Sequence, residues 1–224
     1  MKTSPADIIL DILFPRFCQG CGKEGRYVCN KCQFFISEAE PLYNLECLNG
    51  LTNVWEYEGL IKKLIQMIKY QAVTDIIKEL ISSIHIEIYY PYISYVPMFL
   101  KREKQRGFNQ AKLIAKELSS NNNAELVSLI EKIKETRAQT ELSQKERVEN
   151  VKNCFAVNKK ELSSDMKEVV LVDDVFTTGG SLRKMIEVIR STGAEILGCY
   201  VVVKRGEGEL EVPLHYLFVA EDLL

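Results

Sequence analysis

Two adjacent acids and a cluster of hydroxyl and glycine residues follow a short apolar run late in the chain. Residues 169–182 read VVLVDDVFTTGGSL. Glycines let the backbone approach an anion closely and expose successive N–H groups, and the positive end of a helix dipole attracts negative charge. We therefore predict that the hydroxyls of Thr177, Thr178 and Ser181, together with Gly179 and Gly180, bind a phosphate where a helix begins.

The paired carboxylates require a further explanation, because they would repel a phosphate placed beside them. Asp173 and Asp174 fit the segment if they face sugar hydroxyls or a magnesium ion on the same ligand. The loop contains no lysine, so the pattern GxxxxGK[ST] of nucleoside triphosphatases is not met. The remaining alternative is an acidic strand end followed by a helix cap, with no ligand at all.

A basic stretch, PMFLKREKQRGFN at residues 97–109, follows a predicted strand. Four basic residues against one acid between positions 101 and 106 give a local net charge of +3. A pyrophosphate needs several cations, and planar guanidiniums match phosphate oxygens. We predict a basic loop that binds pyrophosphate through Lys101, Arg102, Lys104 and Arg106. A solvated charged loop is the alternative.

Four of the seven cysteines form two CxxC pairs near the start of the chain. Cys18 and Cys21 are followed, after seven residues, by Cys29 and Cys32. With Zn–S bonds of about 2.3 Å, tetrahedral sulfurs lie roughly 3.8 Å apart, which a CxxC turn can reach. Four thiolates leave no open coordination position, so we predict structural zinc; a redox dithiol or incidental thiols are the alternatives. The other three cysteines are predicted to be small hydrophobic residues: Cys47, Cys154 and Cys199.

The elements that must position these groups alternate between strand and helix. Apolar periodicity predicts helices over 1–16, 59–70, from 74 or 75 onward, over 109–118 and over 181–190, and strands over 92–97, 168–172, 196–203 and 214–219. Such alternation indicates an α/β fold with a mostly parallel sheet flanked by helices. The carboxyl ends of its strands are where ligands bind in folds of this kind.

Length and composition limit the possible classes of protein. A chain of 224 residues accommodates one full domain and a small appendage. We predict a zinc-binding module over residues 1–50 and an α/β domain over 51–224. The net charge of −2 excludes a globally basic nucleic-acid binder. No signal peptide and no apolar run of about 18 residues is found, so a cytoplasmic protein without a membrane span is expected.

Three motifs together resemble a known family. RGFNQA at 106–111, TRAQTELSQKERVENV at 136–151 and VDDVFTTGGS at 172–181 follow the double CxxC in this order. From about residue 14 to residue 203 the chain resembles the ComF family of phosphoribosyltransferase-like proteins. The resemblance implies a type I phosphoribosyltransferase fold that binds 5-phosphoribosyl-1-pyrophosphate (PRPP) with Mg²⁺. The implied PRPP contacts are Asp173, Asp174, Val175, Thr177, Thr178, Gly179, Gly180 and Ser181.

Within these contacts, the resemblance implies that the two acids hold the ribose hydroxyls, directly or through magnesium, and that residues 177–181 hold the 5′-phosphate. Ser181 stands where threonine often closes the loop in this family, a difference that keeps the hydroxyl. A mobile loop before the PRPP strand closes over the active site in type I phosphoribosyltransferases. Residues 134–154 are placed to be that lid, with Lys134, Arg137, Lys145 and Arg147 facing a departing pyrophosphate, or are an ordinary charged surface segment.

The family is associated with natural transformation and the uptake of DNA. The partners implied by the resemblance are therefore single-stranded DNA and a helicase or translocase of the competence machinery. Three roles remain open from the sequence: a phosphoribosyltransferase that acts on an unidentified nucleobase-like acceptor, a DNA-handling scaffold, and a PRPP-responsive regulator without catalysis. In the first of these, Asp173, Asp174, Arg137, Lys145 and Arg147 would be the catalytic residues.

Overall fold

The fold is a parallel sheet with helices on both faces, seen in a computed structural model of the chain. The structure describes residues 13–34, 36, 55–56, 59–71, 73–82, 91–136, 153–163, 166–176, 179–205 and 210–220. The sheet has six strands in the order β1-β8-β7-β6-β2-β3, and every neighbouring pair is parallel. Its strands are β1 Trp55–Glu56, β2 Tyr92–Tyr95, β3 Glu125–Leu126, β6 Glu168–Phe176, β7 Glu195–Arg205 and β8 Leu214–Ala220.

A separate antiparallel pair and six helices complete the described part of the fold. β4 Ile130–Lys132 pairs with β5 Phe155–Val157. The helices are α1 Asn30–Gln33, α2 Gly59–Gln71, α3 Asp75–Ser82, α4 Leu100–Arg106, α5 Gln110–Asn122 and α6 Gly180–Arg190. Within these ranges no helix is both long and apolar enough to cross a bilayer.

Strand β6 lies between two hydrophobic cores, one on each face of the sheet. Val170 and Val172 pack into the core formed with α2, α3 and α5, whereas Val169 and Leu171 pack into the core formed with α6. All four are fully buried. Successive side chains of a strand point to opposite faces, so a continuous apolar run is what a strand covered on both sides requires.

The register of the central strands brings two of the sequence motifs together. Tyr95 at the end of β2 pairs with Val172 of β6, and the amide of Val96 donates to the Val172 carbonyl at 2.8 Å. The residues that follow β2 therefore leave the sheet beside Asp173 and Asp174 of β6. The parallel sheet predicted from the sequence is confirmed, and so are the predicted helices within the described residues. The helix predicted over 1–16 lies almost entirely outside them.

Two predictions about secondary structure were wrong. The basic stretch is not a loop, because residues 100–106 form helix α4, which Gly107 ends with a φ of 85°. None of its residues is buried, so the helix has no apolar stripe by which the sequence could reveal it. Strand β6 does not end at residue 172 but continues to Phe176, because Asp173 and Phe176 remain paired with Val201 and Lys204 of β7.

Candidate functional site

A cleft of about 280 Å³ lies at the carboxyl ends of β2 and β6. Open α/β sheets bind their ligands in this position. Its wall comes from the segment after β2, the end of β6, the start of α6 and the strand β4 with the residues after it. The polar and glycine residues of the wall are Arg102, Arg106, Asn109, Gln110, Lys132, Glu135, Thr136, Asp173, Asp174, Gly179, Gly180 and Ser181.

The start of α6 has the backbone geometry that the glycine-rich loop predicts. Gly179 has a φ of 73°, in the left-handed region, and its carbonyl accepts the Arg183 amide at 2.9 Å. A Cβ atom at this position would lie 2.8 Å from the Phe176 ring, so only glycine fits. The N–H groups of the first helical turn, at residues 180–182, therefore adjoin the cleft. Thr177 and Thr178, the other predicted phosphate contacts, lie outside the described residues.

The two adjacent acids face different surroundings. Burial, and next the charge of Asp174, raise the pKa of Asp173 well above its usual range, while Lys132 acts in the opposite direction. Asp173 Oδ1 accepts the Asp174 amide at 2.8 Å. Asp174 borders the cleft and, in addition, a second, small apolar cavity on the side of α2, α3 and α5. The acids thus reach the cleft from opposite faces of β6, as the alternation of a strand requires.

Helix α4 brings two of the four predicted cations into the cleft. Arg102 and Arg106 line its wall, whereas Lys101 and Lys104 do not. The Arg102 guanidinium donates to the Thr136 carbonyl at 3.4 Å, and that of Arg106 lies 5.3 Å from the centre of the Phe108 ring. Lys101 is exposed and forms an ion pair with Glu135, also at 3.4 Å.

Lys132 is a cleft residue that the sequence did not reveal. It lies on β4, and its ammonium is 5.6 Å from the centre of the Phe155 ring on β5. Burial lowers the pKa of Lys132, Cys154 and Asp173 act to raise it, and Arg102 lowers it further. Pairing of β4 with β5 places it here, across an intervening segment of more than twenty residues. The predicted lid residues Arg137, Lys145 and Arg147 lie outside the described residues.

A second group of chemically active side chains is the thiolate cluster. The sulfurs of Cys18, Cys21, Cys29 and Cys32 all lie within 4.8 Å of one another, and those of Cys21 and Cys29 are 3.6 Å apart. Burial opposes ionisation of Cys18, but the amides of Cys29, Cys21 and Gly20 outweigh it and lower its pKa to about 6. Four sulfurs at this spacing fit one tetrahedral ion, for which the expected separation is roughly 3.8 Å.

The turn that carries the cluster is fixed to helix α3 by one carboxylate. Glu79 accepts the amides of Tyr27 at 3.1 Å and Val28 at 2.7 Å, and its oxygen lies 3.6 Å from Nε of Arg26. Its side chain is only 10% exposed. Val28 itself is buried in the core shared by α2, α3 and α5. We call residues 17–34, with the four cysteines, the cysteine knuckle.

Replacing Glu79 with glutamine is expected to destabilise the protein by about 1–3 kcal/mol, because the amide group can accept only one of the two N–H bonds and carries no charge. Chemical denaturation would measure the loss. Glu125→Gln, at an exposed position on β3, is the matched control and should change little. Equal stability of the two variants would contradict the role of Glu79.

This sheet, with paired acids and a glycine-rich helix start at its carboxyl edge, defines an α/β protein of the phosphoribosyltransferase type. The family model described as the phosphoribosyl transferase domain matches residues 67–222. Because the match covers well over half of the chain, the chain belongs to the phosphoribosyl transferase domain family.

The relatives agree with the resemblance seen in the motifs. Competence protein F of Haemophilus influenzae is 28% identical over 193 residues, 81% of each chain. Competence protein ComFC of Bacillus subtilis is 25% identical over 173 residues, 74% of this chain and 68% of that one. The resemblance to the ComF family is thereby confirmed. Among solved structures, adenine phosphoribosyltransferase from Thermoanaerobacter pseudethanolicus is 14% identical, covering 85% of this chain and 98% of that one, with a TM-score of 0.45.

Proposed function

We propose that the chain binds PRPP with Mg²⁺ in the cleft at the carboxyl ends of β2 and β6. The observation that carries the proposal is that one cleft joins a glycine-rich helix start, two acidic residues and three basic residues. Residues 177–181 would receive the 5′-phosphate, Asp173 and Asp174 the ribose, and Arg102, Arg106 and Lys132 the pyrophosphate. The cleft volume of about 280 Å³ is close to the lower limit for small-molecule sites, roughly 300 Å³.

The acids fit a magnesium ion by their chemistry. Two neighbouring carboxylates, one of which resists ionisation, are stabilised as anions when a divalent cation lies beside them. Magnesium binds through one or two carboxylates and the phosphates of its substrate. When bound, it would supply the positive charge that a pyrophosphate and two carboxylates together require.

Phosphoribosyl transfer is the reaction that this arrangement favours. When the bond between C1′ and the pyrophosphate oxygen breaks, positive charge develops at C1′ and negative charge on the departing pyrophosphate. Carboxylates on the ribose side and cations on the pyrophosphate side stabilise both changes. An assay with isotopically labelled PRPP and a panel of nucleobases tests this step: pyrophosphate release that depends on an added base supports transfer, and its absence with every base leaves PRPP binding as the function.

Lys132→Met is expected to weaken the binding of PRPP and of inorganic pyrophosphate roughly 10- to 100-fold, because a charged hydrogen bond to phosphate is lost. Ribose 5-phosphate, which lacks the pyrophosphate, should bind with nearly unchanged affinity. Titration calorimetry with the three ligands makes the comparison. Lys160→Met, at an exposed position, is the control. An equal loss for all three ligands would show that Lys132 does not face the pyrophosphate.

The cysteine knuckle is proposed to hold a structural zinc ion within an N-terminal module over residues 1–50, next to a PRPP-binding domain over 51–224. Four cysteine sulfurs fill a tetrahedral site, so no position is left for a water or a substrate. Zinc would here tie the two CxxC turns together. The role of this ion is thus expected in folding rather than in catalysis.

A second proposed role is the handling of single-stranded DNA in natural transformation, beside a helicase or translocase partner. The two long matches to relatives named as competence proteins favour it, and α4 exposes Lys101 and Lys104 next to the cleft. Binding of a single-stranded oligonucleotide should weaken steeply as salt rises. It should also fall when all four basic residues of α4 are neutralised. No binding at low salt would refute direct contact with DNA.

A further inference from the structure

The motif RGFNQ contains one residue that neither the fold nor the proposed cation site explains. Gly107 ends α4, and Asn109 has a structural role, because its Nδ2 donates to the Val96 carbonyl at 3.0 Å and its Oδ1 accepts the Lys112 amide at 3.4 Å. Arg106 lines the cleft. The remaining polar side chain is Gln110, the first residue of α5.

Gln110 is only 3% exposed. Within the described residues its side-chain amide makes no hydrogen bond, and it is not fully enclosed, because the Ser94 hydroxyl is the one completely buried side-chain polar atom there that lacks a partner. A largely buried amide that bonds no protein group is normally satisfied by water or by a ligand.

The side chain lies between two spaces of different character. One is the cleft, and the other is the small cavity of about 30 Å³ behind it, whose lining is mostly aliphatic and includes Ile77, Ile114 and Val203. Apart from Gln110 itself, Asp174 is the one residue in the lining of this cavity with a polar side chain. The cleft is therefore the side from which the amide of Gln110 can be satisfied.

Asp174 borders the same two spaces as Gln110. An ionised carboxylate only accepts hydrogen bonds, whereas an amide side chain both donates and accepts. A sugar hydroxyl also does both. Gln110 and Asp174 together thus provide the full complement of donors and acceptors that a pair of neighbouring hydroxyls needs.

From this geometry we propose that Gln110 binds the 2-hydroxyl of the sugar and makes the site selective for ribose over 2-deoxyribose. The 2-hydroxyl is the one next to the carbon that bears the pyrophosphate. Gln110 and Arg106 both line the cleft, and only three residues separate them along the chain, so the proposal places Gln110 near the pyrophosphate. The inference rests on the proposed binding of PRPP and adds a residue that distinguishes ribose from 2-deoxyribose.

Displacement of PRPP from the full chain by ribose 5-phosphate and by 2-deoxyribose 5-phosphate tests the proposal. The wild type should prefer the ribose compound at least about tenfold, because a site built for a hydroxyl is left with unpaired groups by the analogue that lacks it. In Gln110→Met, which keeps length and helix propensity, the preference should fall by about fivefold or more. Inorganic pyrophosphate should bind both forms equally.

Gln66→Met, at an exposed position on α2, is the matched control and should keep the wild-type preference. Gln110→Leu is a second test variant, and melting curves establish that each variant is folded. An unchanged preference in a folded Gln110 variant would overturn the role of Gln110 while PRPP binding stands. A wild type that does not bind PRPP at all would instead overturn the proposed function, and this inference with it.

Discussion

Replacing Asp173 and Asp174 together with asparagine is expected to lower magnesium-dependent PRPP affinity by roughly two to four orders of magnitude. Each carboxylate is worth about 1.5–3 kcal/mol when it accepts a hydrogen bond from the ligand or contacts the metal, and asparagine keeps the shape but not the charge. Isothermal titration of PRPP with and without Mg²⁺ would measure the loss. Asp75→Asn, an exposed acid at the start of α3, is the control.

The same double variant should not be less stable than the wild type. A carboxyl group whose pKa is raised in the folded state binds more protons than in the unfolded state, so the folded state loses stability as pH rises between the two pKa values. Asparagine cannot ionise and removes this penalty at neutral pH. Unchanged PRPP affinity in a folded double variant would refute the roles given to the two acids.

Cys18→Ser is expected to abolish zinc binding and to lower the stability of the whole chain severely. Cys18 is 2% exposed, and its sulfur accepts the Cys29 amide at 3.4 Å, so it is enclosed within the cluster. Structural zinc contributes about 10–16 kcal/mol in zinc-finger peptides, which is comparable to the total stability of an ordinary domain, about 5–15 kcal/mol. Elemental analysis of the purified chain and a thermal melt would measure both effects.

The control for this variant is Cys154→Ala, which removes a buried thiol outside the cluster. It should keep one zinc ion per chain even if its melting temperature falls, because Cys154 is far along the chain and is not one of the clustered sulfurs. Cys18→Ser protein that still holds a full equivalent of zinc would show that the proposed site is wrong.

The parts of the molecule that the sequence predicted well are those whose signals are local. The glycine-rich start of α6 follows its strand directly, and the CxxC pairs lie within fifteen residues of each other. The covered strand at 168–172 was visible because both of its faces must be apolar. In each case neighbouring residues in the chain are also neighbours in space, so composition and spacing contain the structural information.

The features that the sequence could not reveal depend on contacts between residues far apart in the chain, or lie on a helix with no buried residues. Lys132 reaches the cleft only because β4 pairs with β5, and Glu79 holds amides 51 and 52 positions away. No residue of helix α4 is buried, so its good helix formers show no apolar stripe and the sequence predicts a loop there. Gln110 lines the cleft because the turn at Gly107 and Asn109 places the start of α5 beside β6, which no local pattern indicates.

Val28 of the cysteine knuckle belongs to the same hydrophobic core as Val170 and Val172 of the central strand. If the cluster holds zinc, binding of the ion also stabilises the sheet. A ligand that binds only the folded chain raises the free energy of unfolding, and the cysteine knuckle and the sheet share one core and would unfold together. The fraction of molecules able to form the cleft would then follow the free zinc level of the surroundings. A metal that does not line the cleft would in this way set how much of the protein is able to bind a ligand there.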